Sequence, residues 1–197
     1  STQSTGIINM ASEEEYNKAM FESLKQLQKE KDHIQCFIVK TQPHVLHVSF
    51  KGPDFPGFKD GIYHIHLQLN GYPKAAPTIQ MTHPNGGYTP NSNICLVGIT
   101  NSTSSFSSGT TIEGLVVGIQ SYMVPANRIN DGSAMIRSPQ HVVEEFARQS
   151  LSYKCGVCGA DHSKLFKAKA ANEEGEVKEK VEKKVVKKAK VQMDLDD

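Results

Sequence analysis

No stretch of this chain approaches the roughly 18 consecutive apolar residues that a membrane-spanning helix needs, so no transmembrane segment is read from it. The opening run STQSTGIINMASEEE holds no basic region followed by an apolar one, and no signal peptide is legible. An initiating methionine is also missing, which leads us to expect a processed or shortened chain. Charge of one sign is not in excess. The 22 Lys and Arg stand against 21 Asp and Glu, and a net +1 implies no general attraction to nucleic acid. Cysteine is scarce: Cys36 and Cys95 are isolated, Cys155 and Cys158 form a pair, and four thiols so placed make no disulfide framework. A reducing compartment is the simpler reading. No internal repeat of solenoid or propeller period occurs.

What is present suits one domain of about 150 residues with tails. Ser12 and Glu15 stand at capping-box spacing, and Tyr16, Met20, Leu24 and Leu27 recur at helical intervals, which predicts an amphipathic helix over 12–32. IQCFIVK (34–40) and HVLHVSF (44–50) read as short strands. KGPDFPGFKDG (51–61) reads as a long turn. In YHIHLQLN, Tyr63, Ile65, Leu67 and Leu69 alternate with His64, His66, Gln68 and Asn70, the pattern of a half-buried strand. TIQM (78–81) adds a fourth, and short connections favour antiparallel neighbours. From 82 to 110 no periodicity survives. Ile112, Leu115, Val116, Ile119 and Met123 then mark a second helix closed by Pro125. A third is expected over 138–153, with Ser138 as cap, Pro139 in the first turn, and Val142, Phe146 and Leu151 on its face. The order helix, meander, irregular loop, helices is an α+β pattern. Residues 173–197 alternate charged blocks without an aromatic residue, and a solvated, disordered tail is expected there.

A loop near thirty residues long inside a compact domain usually carries function or is disordered. This one contains Cys95. A lone thiol is more often inert than nucleophilic, and a protease would need an oriented histidine base that the sequence does not supply. Asn85, in His83-Pro84-Asn85, can donate an amide to a developing oxyanion; as part of Asn-Gly it is equally a turn residue. A thiol with an amide donor and no strong base suits thioester exchange, where attacking and leaving groups are both thiols.

The run GPDFPGFKDGIYHIHLQLNGYPKAAPTIQMTHPNGGYTPNSNICL resembles the core of a ubiquitin-conjugating enzyme. The marks are Gly52-Pro53, Gly61 with Tyr63, Tyr72-Pro73 with Pro77, His83-Pro84-Asn85, and Ile94-Cys95-Leu96, and the resemblance covers about 12–153. Cys95 follows Asn85 by ten residues rather than the family's usual eight, which is similar to the endoplasmic-reticulum-associated, tail-anchored J-type branch. The resemblance implies the ubiquitin-conjugating fold, with a core domain at 12–153, a Cys-x-x-Cys extension at 154–172, and flanks at 1–11 and 173–197. It implies that Cys95 accepts ubiquitin as a thioester from the ATP-dependent activating enzyme and passes it to a substrate lysine with a RING-type ligase. Asn85 would stabilise the loop and the oxyanion, and His83 and Pro84 would be structural. The first helix would face the activating enzyme, and Lys74 and Ser108 would face the ligase. No cofactor is implied. The expected location is the cytoplasm, or the cytosolic face of the endoplasmic reticulum in protein degradation.

The chain departs from that branch in several places. It has no tryptophan: Phe106 and Thr110 stand where two are usual, Ser108 replaces a proline, and Lys74 replaces an apolar residue, which puts ligase choice in question. The run TNSTSS (100–105) offers no titratable group after the cysteine, so slow discharge to free lysine is expected unless a ligase or substrate supplies one. Serine and threonine acceptors stay open, because some relatives esterify hydroxyls. The chain ends in charge where relatives carry an apolar anchor, so either an anchor is missing or this member is soluble. A non-catalytic ubiquitin-binding variant, or a conjugator of another ubiquitin-like modifier, are the alternatives.

Cys155, Cys158 and His162 are three potential zinc ligands, but a closed site needs four. Asp161 or a second chain would have to complete it, and a pair of ordinary thiols is the simpler expectation, with no metal bound. His64 and His66 could be half a metal site; a polar strand face turned to solvent or to a helix edge explains them more simply.

Overall fold

The computed structural model describes residues 12–27, 29, 32–96, 106–107, 109–128, 132 and 134–166. The chain divides into two units, 1–163 and 164–197; of the second only a turn at 164–166 is described. The expectations for 1–11, 97–105, Ser108 and the 173–197 tail lie outside the described residues.

The first unit has the expected α+β architecture. Helix α1 (Glu13–Leu27) is followed by β1 (Ile34–Ile38), β2 (Val45–Lys51), β3 (Ile62–Gln68) and β4 (Thr78–Met81), then α2 (Ile112–Met123) and α3 (Gln140–Ser150). The four strands form one antiparallel meander in the order β1-β2-β3-β4. Leu46, Val48 and Phe50 of β2 and Tyr63, Ile65 and Leu67 of β3 are buried on one face of the sheet. They share a core with Tyr16, Met20 and Leu27 of α1 and with Ile112, Leu115, Val116, Ile119 and Met123 of α2. The stripe read from the sequence of α2 is the buried one.

Three local expectations are corrected. Helix α1 spans Glu13–Leu27, and Asp32, where its end is expected, lies in a turn. Helix α3 starts at Gln140 with Pro139 in the cap position and no side-chain cap, so Ser138 does not cap it. Its buried face is Val143, Ala147 and Ser150, one residue on from the expected Val142 and Phe146, and Leu151 is 42% exposed. Small side chains make that contact: Ser150 Oγ accepts the backbone N–H of Ile62 at 3.0 Å, which fastens the helix to the start of β3. Finally, the polar face of β3 is not open to solvent at His64, which is fully buried.

Candidate functional site

The site is built on the turn after β4. Asn85 is completely buried and its side chain closes that turn with four hydrogen bonds. Its Oδ1 accepts from the N–H of Gly87 at 2.9 Å and of Tyr88 at 2.7 Å. Its Nδ2 donates to the carbonyls of His83 at 3.0 Å and Tyr88 at 3.1 Å. Gly86 takes a positive φ of 82° against Val143, where a Cβ would lie 2.8 Å from that side chain, so the Asn-Gly pair is needed at this corner. Both amide protons of Asn85 are engaged, so in this conformation the side chain is a clamp and has no donor left for an oxyanion.

His83 supports the same turn from behind. Its Nδ1–H donates to the Pro84 carbonyl at 3.0 Å, and its Nε2 accepts the backbone N–H of His64 at 3.2 Å. The ring lies parallel to Tyr63 and 4.4 Å from the ring centre of Tyr153. Burial pushes its pKa down to about 4, so the ring is neutral at physiological pH, and with its Nε2 lone pair taken by the His64 N–H it serves the turn as a structural group.

Cys95 lies at the end of a segment stitched to the edge of the sheet. Asn91 N–H donates to Met81 O at 2.7 Å and Ile94 N–H to Ile79 O at 2.9 Å, while Gln80 and Asn93 form an isolated bridge. Ile94 and Leu96 are buried on either side, and Cys95 between them is partly exposed. The two buried neighbours anchor the segment and leave Cys95 itself partly accessible. Its carbonyl rests against Gly132, where a Cβ would come within 2.0 Å of the oxygen.

From Gly132 the chain runs back to the Asn85 turn. Tyr88 and Met135 form an isolated bridge, Thr89 N–H donates to Ala134 O at 2.7 Å, and Ile136 N–H donates to Gly87 O at 3.0 Å. Arg128, nearly buried, ties these strands together by donating to the carbonyls of Ile136 at 2.7 Å, Tyr122 at 2.8 Å, Met123 at 3.3 Å and Gly87 at 3.4 Å. Sequence reading missed both Gly132 and Arg128. No side-chain pattern marks them, since their partners are main-chain atoms: the Cys95 carbonyl for Gly132, and for Arg128 three nearby carbonyls together with that of the distant Gly87.

The other candidates fall elsewhere. Lys74 pairs with Glu15 at 2.7 Å. Glu15 also completes the capping box of α1, accepting Ser12 N–H at 2.8 Å while its own N–H donates to Ser12 Oγ at 3.2 Å. Lys74 is therefore bound to the helix entry, although 38% of its side chain stays exposed. Cys36 lies in β1 beside Val48, and burial raises its pKa to about 12. Cys155 and Cys158 lie over the outer face of the sheet, against His47 and His64. His162 is beside them but points to Ser49 and Ser150, and Asp161 pairs with Lys154 and Ser163. A groove of about 330 Å³ runs between α1 and β1–β2, lined by Tyr16, Met20, Phe21, Leu24, Ile38 and Pro43 among others. Phe21 and Ile38 beside it are 70% and 59% exposed.

No family model matches the sequence, and no curated protein does. Among solved structures, a human one described as "ubiquitin-conjugating enzyme E2 G1" is 19% identical, over 53% of this chain and 90% of that one, with a TM-score of 0.43. Another, described as a "novel ubiquitin-conjugating enzyme", is 13% identical, over 53% of this chain and 71% of that one, with a TM-score of 0.44.

Proposed function

We propose that this chain is a ubiquitin-conjugating enzyme that carries ubiquitin as a thioester on Cys95. The observation that carries the reading is the partly exposed Cys95 on a segment hydrogen-bonded to β4 through Asn91 and Ile94, with its carbonyl packed closely against Gly132. In the charging step the Cys95 sulfur attacks the carbonyl of ubiquitin's C-terminal thioester on the activating enzyme. A new C–S bond forms to Cys95, the old C–S bond breaks, and the departing sulfur takes up the proton that Cys95 gave. In discharge a neutral substrate amine attacks the same carbonyl, a C–N bond forms, the C–S bond to Cys95 breaks, and the proton lost by the amine balances the thiolate that leaves, which becomes the free thiol again.

This chemistry exchanges one thiol for another, so a buried neutral His83 is no obstacle to it. Asn85 acts as a positioning residue that holds the turn. The exposed Phe21 and Ile38 supply apolar surface beside α1 for the activating enzyme. Lys74 offers a polar face to a RING-type ligase, and Ser108 completes that reading from the sequence. The Asn85-to-Cys95 spacing supports placement in the tail-anchored J-type branch, acting at the cytosolic face of the endoplasmic reticulum in protein degradation.

The test is charging. Purified chain, activating enzyme, ubiquitin and ATP are resolved with and without reductant beside Cys95→Ala. A reductant-sensitive adduct that needs Cys95 supports the reading. If a control enzyme charges normally and this chain does not, the reading falls to a ubiquitin-binding variant. If another ubiquitin-like modifier with its own activating enzyme charges Cys95 instead, the modifier is reassigned.

A further inference from the structure

A second cluster of reactive side chains, which acyl transfer does not use, lies on the back of the sheet. The β2–β3 register places Ser49 beside His64 and His47 beside His66, facing away from the core. The segment after α3 covers this face. Within it Lys154 and Asp161 form an antiparallel bridge and a 3.3 Å ion pair. Inside that bridge Cys155 N–H donates to Ala160 O at 2.9 Å, and Gly159 N–H donates to Cys155 O at 3.0 Å. Gly159 has a φ of +76°, a conformation that costs glycine nothing. The tight turn holds both thiols of Cys-x-x-Cys against the sheet. The N–H groups of Val157 and Cys158 point at the Cys155 sulfur and that of Ala160 at the Cys158 sulfur, as thiolates prefer.

One ligand atom each from His47, His64, Cys155 and Cys158 lies within 4.8 Å of all the others. His47 Nδ1 and His64 Nε2 are 3.1 Å apart, Cys155 Sγ is 3.7 Å from His47 Nδ1, and Cys158 Sγ is 3.6 Å from His64 Nε2. A tetrahedral ion with bonds of about 2.0–2.1 Å to nitrogen and about 2.3 Å to sulfur separates two nitrogens by about 3.3 Å, and nitrogen from sulfur by about 3.6 Å. The three edges agree with that figure to within a few tenths of an ångström.

The surrounding hydrogen bonds orient one of the ligands. His162 Nδ1 lies 2.8 Å from the Ser150 carbonyl, which only accepts, so the proton is on Nδ1 and His162 Nε2 is an acceptor. Ser49 Oγ, 3.0 Å away, gives its single proton there. It must then accept from His64 Nδ1–H at 2.8 Å. That leaves His64 Nε2 unprotonated, its lone pair aimed into the cluster toward His47 Nδ1 and Cys158 Sγ. This is the outer-sphere arrangement that fixes the tautomer of a metal-binding histidine.

We infer that His47, His64, Cys155 and Cys158 bind one zinc-class ion, in a closed structural site that fastens residues 154–162 to the back of the sheet. Two sulfur and two imidazole ligands suit zinc and exclude magnesium or calcium as the preferred ion. The two thiols lose their protons to solvent on binding, and two thiolates balance a 2+ ion, so the buried site carries no uncompensated charge. All four positions come from the protein, which makes the role structural rather than catalytic. The inference is independent of what Cys95 does.

The experiment is metal analysis of the full chain, purified without chelator and under reducing conditions, followed by cobalt(II) replacement. One equivalent of zinc per chain is expected. Cobalt should give the intense visible absorption of a tetrahedral site together with a sulfur-to-metal band in the near ultraviolet. Cys158→Ser should lose the equivalent of metal, Cys36→Ser should keep it, and Cys158→His should keep tetrahedral cobalt while weakening the sulfur band. The histidine variant guards against misfolding, since it preserves a ligand. Chelator should lower the melting temperature of the parent chain and leave that of Cys158→Ser unchanged. Substoichiometric metal that zinc(II) cannot restore, octahedral cobalt, or a Cys155–Cys158 disulfide in the reduced preparation would overturn the proposal.

Discussion

The backbone N–H of His64 on β3 donates to Nε2 of His83 at 3.2 Å, so one imidazole joins the turn after β4 to the strand that carries His64 of the histidine–cysteine cluster. The ring also fills space between Tyr63 and Tyr153. His83→Ala removes the acceptor of a buried N–H and leaves a cavity. A loss of about 3–5 kcal/mol is expected in urea unfolding. A loss below about 1 kcal/mol would show that the ring supports nothing.

Asn85→Ala strands the N–H groups of Gly87 and Tyr88 and frees two carbonyls in a fully buried turn. A cost of about 2–4 kcal/mol follows from the usual penalty for unpaired buried groups, read from the same unfolding curves. Loss of charging with full stability retained would contradict the clamp role and return the amide to the oxyanion.

Gly132→Ala places a methyl group 2.0 Å from the carbonyl oxygen of Cys95, so one of the two segments must move. Overpacking of this kind costs about 1–3 kcal/mol. Because the displaced group is the main chain of Cys95 itself, we expect the charging rate to fall more than stability does. Equal charging by variant and parent would separate Gly132 from the site.

The Glu15 carboxyl is held down at about 2, first by its hydrogen bond with Lys74 and then by Ser12 N–H. A carboxyl depressed in the folded state contributes fully above its ordinary value of 4.5 and loses that contribution as pH falls through about 2. Carboxyl NMR titration should show that low midpoint. In Lys74→Ala the midpoint should rise toward 4.5 without reaching it, because the Ser12 contact remains. An unchanged midpoint would remove Lys74 from the pair.

Much of the fold was legible because it rests on short-range periodicity. The two-residue alternation of 63–69 and the three-and-four spacing of 112–123 each specify a buried face by themselves. Helix α3 misled for a physical reason. Its contact is made by Ala147 and Ser150, whose small side chains allow close approach, while the larger Phe146 and Leu151 lie toward the rim. A rule that follows bulk chooses the wrong face there.

The sequence by itself determined the tight turn at Asn85-Gly86 and the apolar neighbours Ile94 and Leu96 on either side of the Cys95 thiol, because those features are local. It also named two thiols of a metal-binding pattern. Only the tertiary structure decided that His47 and His64, rather than His162 or Asp161, converge on them. The two histidines belong to different strands and share a corner through the β2–β3 register, and the segment that covers them begins some 90 residues beyond His64. Alternation says which side chains share a face of a sheet; it does not say what later lies down on that face.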